Sequence, residues 1–129
     1  MADVNRGNRP LSPFMLGKYY KLQLTSVTSI LTRITGNALI VAGLMVVWWF
    51  AAAASGPDAF RIADDVLRSW FGDLVLFLSV WALWYHTFAG IRHLIWDQGW
   101  MLEIENAERL GWAVIGGSVV FTLLTILVV

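Results

Sequence analysis

The stretch Leu74-Val75-Leu76-Phe77-Leu78-Ser79-Val80-Trp81-Ala82-Leu83-Trp84-Tyr85-His86-Thr87-Phe88-Ala89-Gly90-Ile91 carries no charged residue and runs directly into Arg92 and His93. A run that long and that apolar predicts a transmembrane helix. His86 lies inside it, and an imidazole there costs free energy unless something partners it, which makes it a candidate site residue. His86 and His93, the two histidines of the chain, are seven residues apart and therefore share one helix face. Imidazole is a common axial ligand of haem iron, so a membrane redox protein is the first function class to weigh.

Composition supports a lipid environment. Of 129 residues, 58% are hydrophobic and eight are tryptophan, and the mean hydropathy is +0.66. A soluble domain of this length has no interior large enough to hide so much apolar surface. The formal net charge is zero, so nothing points to nucleic-acid binding. The chain has no cysteine, which excludes disulfides, thiolate-bound iron–sulfur clusters and cysteine nucleophiles within it.

Two further charge-free runs, Ile34–Ala54 and Leu110–Val129, stand on either side of Leu74–Ile91. The expected fold is all-α, a three-helix transmembrane bundle with spans at about residues 30–54, 72–96 and 109–128, each long enough for a hydrocarbon core of about 30 Å. Residues 1–24 read as a polar arm, and 25–129 as one three-helix anchor domain. The arm lacks the continuous apolar core of a signal peptide, and Arg9-Pro10 and Ser12-Pro13 favour extended or turn structure in it. Helix is expected to start near Thr25 or Ser26. Arg6, Arg9, Lys18, Lys21 and Arg33 precede or open the first span, and Arg92 and Arg109 flank the connection between the second and third. The remaining loop, Ser55–Asp73, offsets Arg61 and Arg68 with Asp58, Asp64, Asp65 and Asp73. The positive-inside rule then puts the N-terminus inside, on the cytoplasmic or matrix side, and the C-terminus outside. Trp70, Trp96, Trp100 and Trp112 fall near span ends, as an aromatic belt does.

This topology gathers polar groups at the inner boundary. Ser29 and Arg33 are one helical turn apart on the first span; His86, Arg92, His93 and Asp97 occupy the inner part of the second. Donors at the edge of an apolar bilayer suit a ligand with a polar head and an apolar tail, and quinone is such a ligand. Ser29 offers a neutral donor, and Arg33 a fixed positive charge for a ring gaining electrons. Plainer readings stand beside these. Arg33 alone reads as snorkelling to headgroups, and Arg92 as snorkelling while pairing with Asp97. His93 and Asp97 form a surface pair in the same view, and Ser29 bonds its own backbone. His86 lies about 9 Å of helix rise deeper than Arg92, and an interhelical hydrogen bond and a ligand role weigh equally there.

Geometry limits that ligand role. His86 and His93 are about 10.5 Å apart along one helix, so they cannot hold one iron from opposite faces of a porphyrin. Met45 in the first span is a conceivable second ligand, but bis-histidine ligation would need a histidine from another chain.

Arg9-Pro10-Leu11-Ser12-Pro13, Ser29-Ile30-Leu31-Thr32-Arg33-Ile34-Thr35-Gly36, and His86 with Gly90-Ile91-Arg92-His93-Leu94-Ile95-Trp96-Asp97 together resemble the cytochrome b subunit of succinate dehydrogenase. That subunit is one of two small membrane anchors of succinate:quinone oxidoreductase, respiratory complex II. The likeness runs in order along the whole chain. It implies that His86 is the axial ligand of haem b, and that Ser29 and Arg33 line the ubiquinone site. It places Arg33 also near a haem propionate, and His93, at the interface, against a propionate or Asp97. The partners implied are a second anchor that supplies the other axial histidine, an iron–sulfur subunit and a flavoprotein subunit. The setting implied is the bacterial cytoplasmic (inner) or mitochondrial inner membrane. Two positions depart from the family pattern: Thr32 and Phe14 stand where histidines are usual. The expected function is thus electron transfer to quinone through a shared haem. The alternatives are a fumarate reductase anchor, with electrons running the other way, and a purely structural anchor without cofactor.

Overall fold

A computed structural model describes residues 21–129 of the chain. The polar arm expected at residues 1–24 lies almost entirely outside the described residues. The described chain is helical, with no strand: α1 (Leu24–Ser55), α2 (Pro57–Leu67), α3 (Trp70–Asp97) and α4 (Ile104–Val128). Three of these, α1, α3 and α4, are long and apolar enough to cross a membrane.

Helix α1 begins at Leu24, within a residue or two of the start expected near Thr25 or Ser26 and ahead of the apolar span itself. Ser26 caps it from within the first turn: its Oγ accepts from the Gln23 backbone N–H at 3.1 Å and donates to the Gln23 carbonyl at 2.8 Å. With 32 residues, α1 is about 48 Å long at 1.5 Å per residue, so its threonine-rich first turns extend beyond a hydrocarbon core. Likewise α4 starts ahead of its apolar run, on a polar turn where Arg109 pairs with Glu105 at 2.6 Å.

The Ser55–Asp73 connection, expected to be a loop, holds the additional helix α2. Gly56, at φ 122°, breaks the chain after α1 in a conformation that disfavours other residues. Pro57 then opens the new helix at a position where its missing N–H costs nothing. Phe60, Ala63 and Leu67, spaced i, i+3, i+7, turn toward the bundle; Ala63 is fully buried, and Phe60 packs edge-on to Trp49 at 5.6 Å. Asp64 and Arg68 form an i,i+4 pair at 2.9 Å.

Small residues draw the spans together. Tyr85, Ala89 and Val114 form the buried core, with Leu31, Trp81, Phe88 and Ile115 packed around it. Trp84 anchors α3 to α4 by donating Nε1–H to Thr125 Oγ1 at 2.9 Å, while its ring meets Phe121 at 4.8 Å. Most large apolar side chains point outward, among them Leu44, Phe50 and Leu123. With lipid or other membrane chains as solvent, that arrangement carries no hydrophobic penalty. Trp70, Trp100 and Trp112 stand exposed near helix ends, as expected of a belt. Trp96 turns partly inward instead.

Candidate functional site

The site is built where the first half of α1 runs beside the second half of α3. Thr28, Thr32 and Thr35 lie at i, i+4 and i+7, so they present one face of α1. Each hydroxyl satisfies itself on a preceding backbone carbonyl: Thr28 on Thr25 at 3.1 Å, Thr32 on Thr28 at 2.8 Å, Thr35 on Leu31 at 2.8 Å. Such back-bonding lets hydroxyls sit in an apolar medium without an orphaned donor. The carbonyls keep spare lone pairs, and α3 uses them. Buried Tyr85 donates its hydroxyl to the Thr28 carbonyl at 3.0 Å.

His86 is the next residue along α3 and meets the next turn of α1. Its Nδ1 lies 3.2 Å from the Thr32 carbonyl and 3.4 Å from Thr35 Oγ1. A carbonyl can only accept, so the shorter contact assigns the proton to Nδ1. In the neutral ring Nε2 then carries the lone pair, and no described residue hydrogen-bonds to it. The ring is half-buried. A histidine whose Nδ1–H is held by a backbone carbonyl and whose Nε2 is unengaged is the arrangement that metal-ligating histidines adopt. Among the described residues, no three His, Cys, Asp or Glu side chains come together. Iron at Nε2 would therefore take its remaining ligands from a macrocycle or another chain. On this donor chemistry the residues present fit a haem.

The backbone gives the ring its room. A Cβ built on Gly36 would stand 3.0 Å from His86 Cε1 and 3.5 Å from Nδ1. Ser29, Arg33 and Gly36 are spaced i, i+4, i+7, so the two expected quinone residues share a helix face with the glycine beneath the imidazole. Ser29 is half-buried and Arg33 exposed. Neither side chain has a hydrogen-bond or ion-pair partner among the described residues. The Ser29 hydroxyl is thus not spent on its own backbone, unlike those of Thr28, Thr32 and Thr35.

Arg92 differs from expectation. Instead of snorkelling or pairing with Asp97, it is buried, with 2% of its surface accessible. It donates from Nη1 to Thr28 Oγ1 at 2.9 Å and lies 4.8 Å over the Trp96 ring. The reason is rotation: α3 turns this position onto the small Thr28 side chain of α1. Its Nε and the indole Nε1 of Trp96 are buried without partners among the described residues. Losing the charged hydrogen bond (about 1.5–3 kcal/mol) and the cation–π contact (about 0.5–2 kcal/mol) by Arg92→Ala should outweigh relief of desolvation. We expect a lower melting temperature of the detergent-solubilised assembly; an unchanged one would make this contact energetically neutral.

Two other candidates are not gathered here. His93 is exposed, with its ring centroid 5.4 Å from that of Trp96, and among the described residues it forms no hydrogen bond and no ion pair with Asp97. Met45 lines an apolar cavity of about 330 Å³ with Trp49, Leu67, Leu76 and Ser79. It lies about 13.5 Å of helix rise beyond Gly36, too far to share an iron with His86. Sequence reasoning missed Thr28, Tyr85, Thr35 and Gly36. The signal for the first and third was the threonine spacing along α1; nothing in the sequence marked the carbonyl acceptors.

A three-span helical membrane subunit with an intramembrane imidazole poised on a backbone carbonyl is the class these features define. Residues 5–125 match the family described as Succinate dehydrogenase/Fumarate reductase transmembrane subunit. The chain is 54% identical over 128 residues to the succinate dehydrogenase cytochrome b556 subunit of Paracoccus denitrificans, covering 99% of this chain and 97% of that one. It is 38% identical to the cytochrome b560 subunit of Reclinomonas americana, covering 91% and 83% of the two chains. With the cytochrome b556 subunit of Rickettsia bellii the identity is 37%, over 90% and 89%. The chain belongs to the succinate dehydrogenase/fumarate reductase transmembrane subunit family.

Proposed function

We propose that this chain is a membrane anchor of succinate:quinone oxidoreductase that shares haem b with a second anchor subunit and helps form the ubiquinone-reduction site. The observation that carries this reading is the His86 arrangement: Nδ1 on the Thr32 carbonyl at 3.2 Å and Nε2 without a described partner. Haem at this position supplies one-electron storage at membrane depth. His86 would hold the haem iron through Nε2, and its Nδ1–H bond fixes the tautomer and ring direction. His93, the other imidazole of this chain, lies two helical turns from His86 on the same helix, so a bis-histidine haem would need a histidine from the other anchor. His93 and Arg33 lie toward the polar boundary, where the propionates of such a haem require cationic or hydrogen-bonding partners.

Electrons arrive from an iron–sulfur subunit that receives them from a flavoprotein. Both dock on the side carrying the N-terminus and the Arg92–Arg109 connection, which the arginine and lysine distribution assigns to the cytoplasm or matrix. The C-terminus then faces outward, residues 25–129 act as one anchor domain, and the membrane is the bacterial cytoplasmic or mitochondrial inner membrane. Ser29 donates to a quinone carbonyl, and Arg33 offers positive charge that persists at neutral pH. The names of the relatives favour succinate oxidation over fumarate reduction.

Affinity purification of the tagged chain from its native membrane tests this reading. The expected eluate contains a second membrane anchor, an iron–sulfur subunit, a flavoprotein and low-spin haem b. Expressed alone, the chain should bind haem poorly and aggregate through its exposed apolar faces. Co-elution of the three partners without haem would leave only a structural anchor. Well-behaved monomers carrying stoichiometric bis-histidine haem would overturn the shared site.

A further inference from the structure

Helix α1 contains two glycines within its apolar run, Gly36 and Gly43, and each costs an α-helix about 1 kcal/mol relative to alanine. Their surroundings differ. A Cβ on Gly43 would meet nothing within 4 Å, whereas one on Gly36 would press on His86, 3.0 Å from Cε1. That is closer than ordinary van der Waals contact, and the ring has few ways to yield. Its Nδ1 is bound to the Thr32 carbonyl one turn earlier on the same helix. Its neighbour Tyr85 is pinned to the Thr28 carbonyl at 3.0 Å, which fixes the rotation of α3 against α1.

We infer that Gly36 is a positioning residue for the His86 ligand: by withholding a side chain, it lets the imidazole lie flat on α1 with Nδ1 within reach of the Thr32 carbonyl. This rests on the proposal that His86 ligates haem iron. A carbonyl accepting Nδ1–H increases the electron-donating power of Nε2, which favours ferric over ferrous iron and holds the potential down. A methyl at residue 36 tilts the ring, lengthens the Nδ1–carbonyl contact and weakens that donation.

The test uses the assembled complex in its membrane, with Gly36→Ala, Gly43→Ala and His86→Ala compared to the parent. Gly36→Ala is expected to keep its haem, to shift the midpoint potential upward and to alter the low-spin ferric EPR signal, which reports ligand-plane orientation. Gly43→Ala should leave both unchanged. Equal responses from the two glycine variants, or no response from Gly36→Ala, would overturn the inference. So would failure of the Gly36→Ala subunit to accumulate while the Gly43→Ala subunit does, since Gly36 would then serve helix packing alone. His86→Ala separates the underlying reading: an unchanged bis-histidine spectrum in that variant refutes the ligand assignment itself.

Discussion

Replacing His86 with alanine is expected to abolish the low-spin haem spectrum of the purified complex or convert it to a high-spin form. The variant removes Nε2, the imidazole nitrogen within the span that no described residue engages, and in the proposed arrangement an iron kept only by the other anchor would lose this ligand and its low-spin state. The packing of α3 on α1 should largely persist, because Tyr85 and Arg92 still hold Thr28 at 3.0 and 2.9 Å. Loss of the low-spin signal from an otherwise assembled complex is therefore the expected outcome, read by the absorption spectrum together with pyridine haemochrome content and subunit stoichiometry. His93→Ala makes the contrast. His93 is exposed and hydrogen-bonds to no described residue, so its removal should leave low-spin haem in place. If His93→Ala loses the haem and His86→Ala keeps it, the two roles are exchanged.

Much of this architecture is written in the sequence because lipid imposes a coarse requirement: every span needs a long apolar run, and each polar residue inside one stands out against it. The three spans and His86 are legible for that reason. So is the shared face of Ser29 and Arg33, which follows from helical spacing. The extra helix α2 is hard to see in the sequence because Asp58, Arg61, Asp64, Asp65 and Arg68 suit a charged loop equally well. The Phe60, Ala63, Leu67 stripe is three residues long and borders apolar spans that dominate any reading. Arg92 illustrates a different limit. Its position near the end of a span is visible, but whether it points to headgroups or to α1 depends on the rotation of one helix against another. That rotation is set by Thr28, Gly36 and Ala89, small residues whose importance lies in what they leave open. The Thr32 carbonyl that orients His86 belongs to the backbone, which no side-chain pattern reports.

Ser29 and Arg33 carry the second large effect. Both are spared from internal bonding among the described residues, although the nearby hydroxyls of Thr28, Thr32 and Thr35 on α1 are tied to their own backbone. Leaving two donors unengaged at the edge of an apolar medium costs free energy unless a ligand or partner chain accepts from them. A quinone entering from the hydrocarbon presents such acceptors, its two carbonyl oxygens. Ser29→Ala removes a neutral donor worth about 0.5–1.5 kcal/mol, so quinone reduction should fall by roughly twofold to tenfold. Arg33→Ala removes the fixed charge proposed to stand beside the quinone ring, where a charged hydrogen bond contributes about 1.5–3 kcal/mol. Its loss should lower quinone reduction by roughly tenfold to more than a hundredfold. In both variants, succinate oxidation by an artificial water-soluble acceptor should remain near the parental rate, because the proposed function puts the flavin and iron–sulfur chemistry in other chains. That separation is the measurement that matters. A parallel fall of both activities with loss of the peripheral subunits would make these residues structural, and parental quinone reduction in both variants would move the quinone away from this face of α1. Arg33→Lys sharpens the result: if charge alone suffices it restores activity, whereas a requirement for the planar, forked guanidinium leaves it impaired.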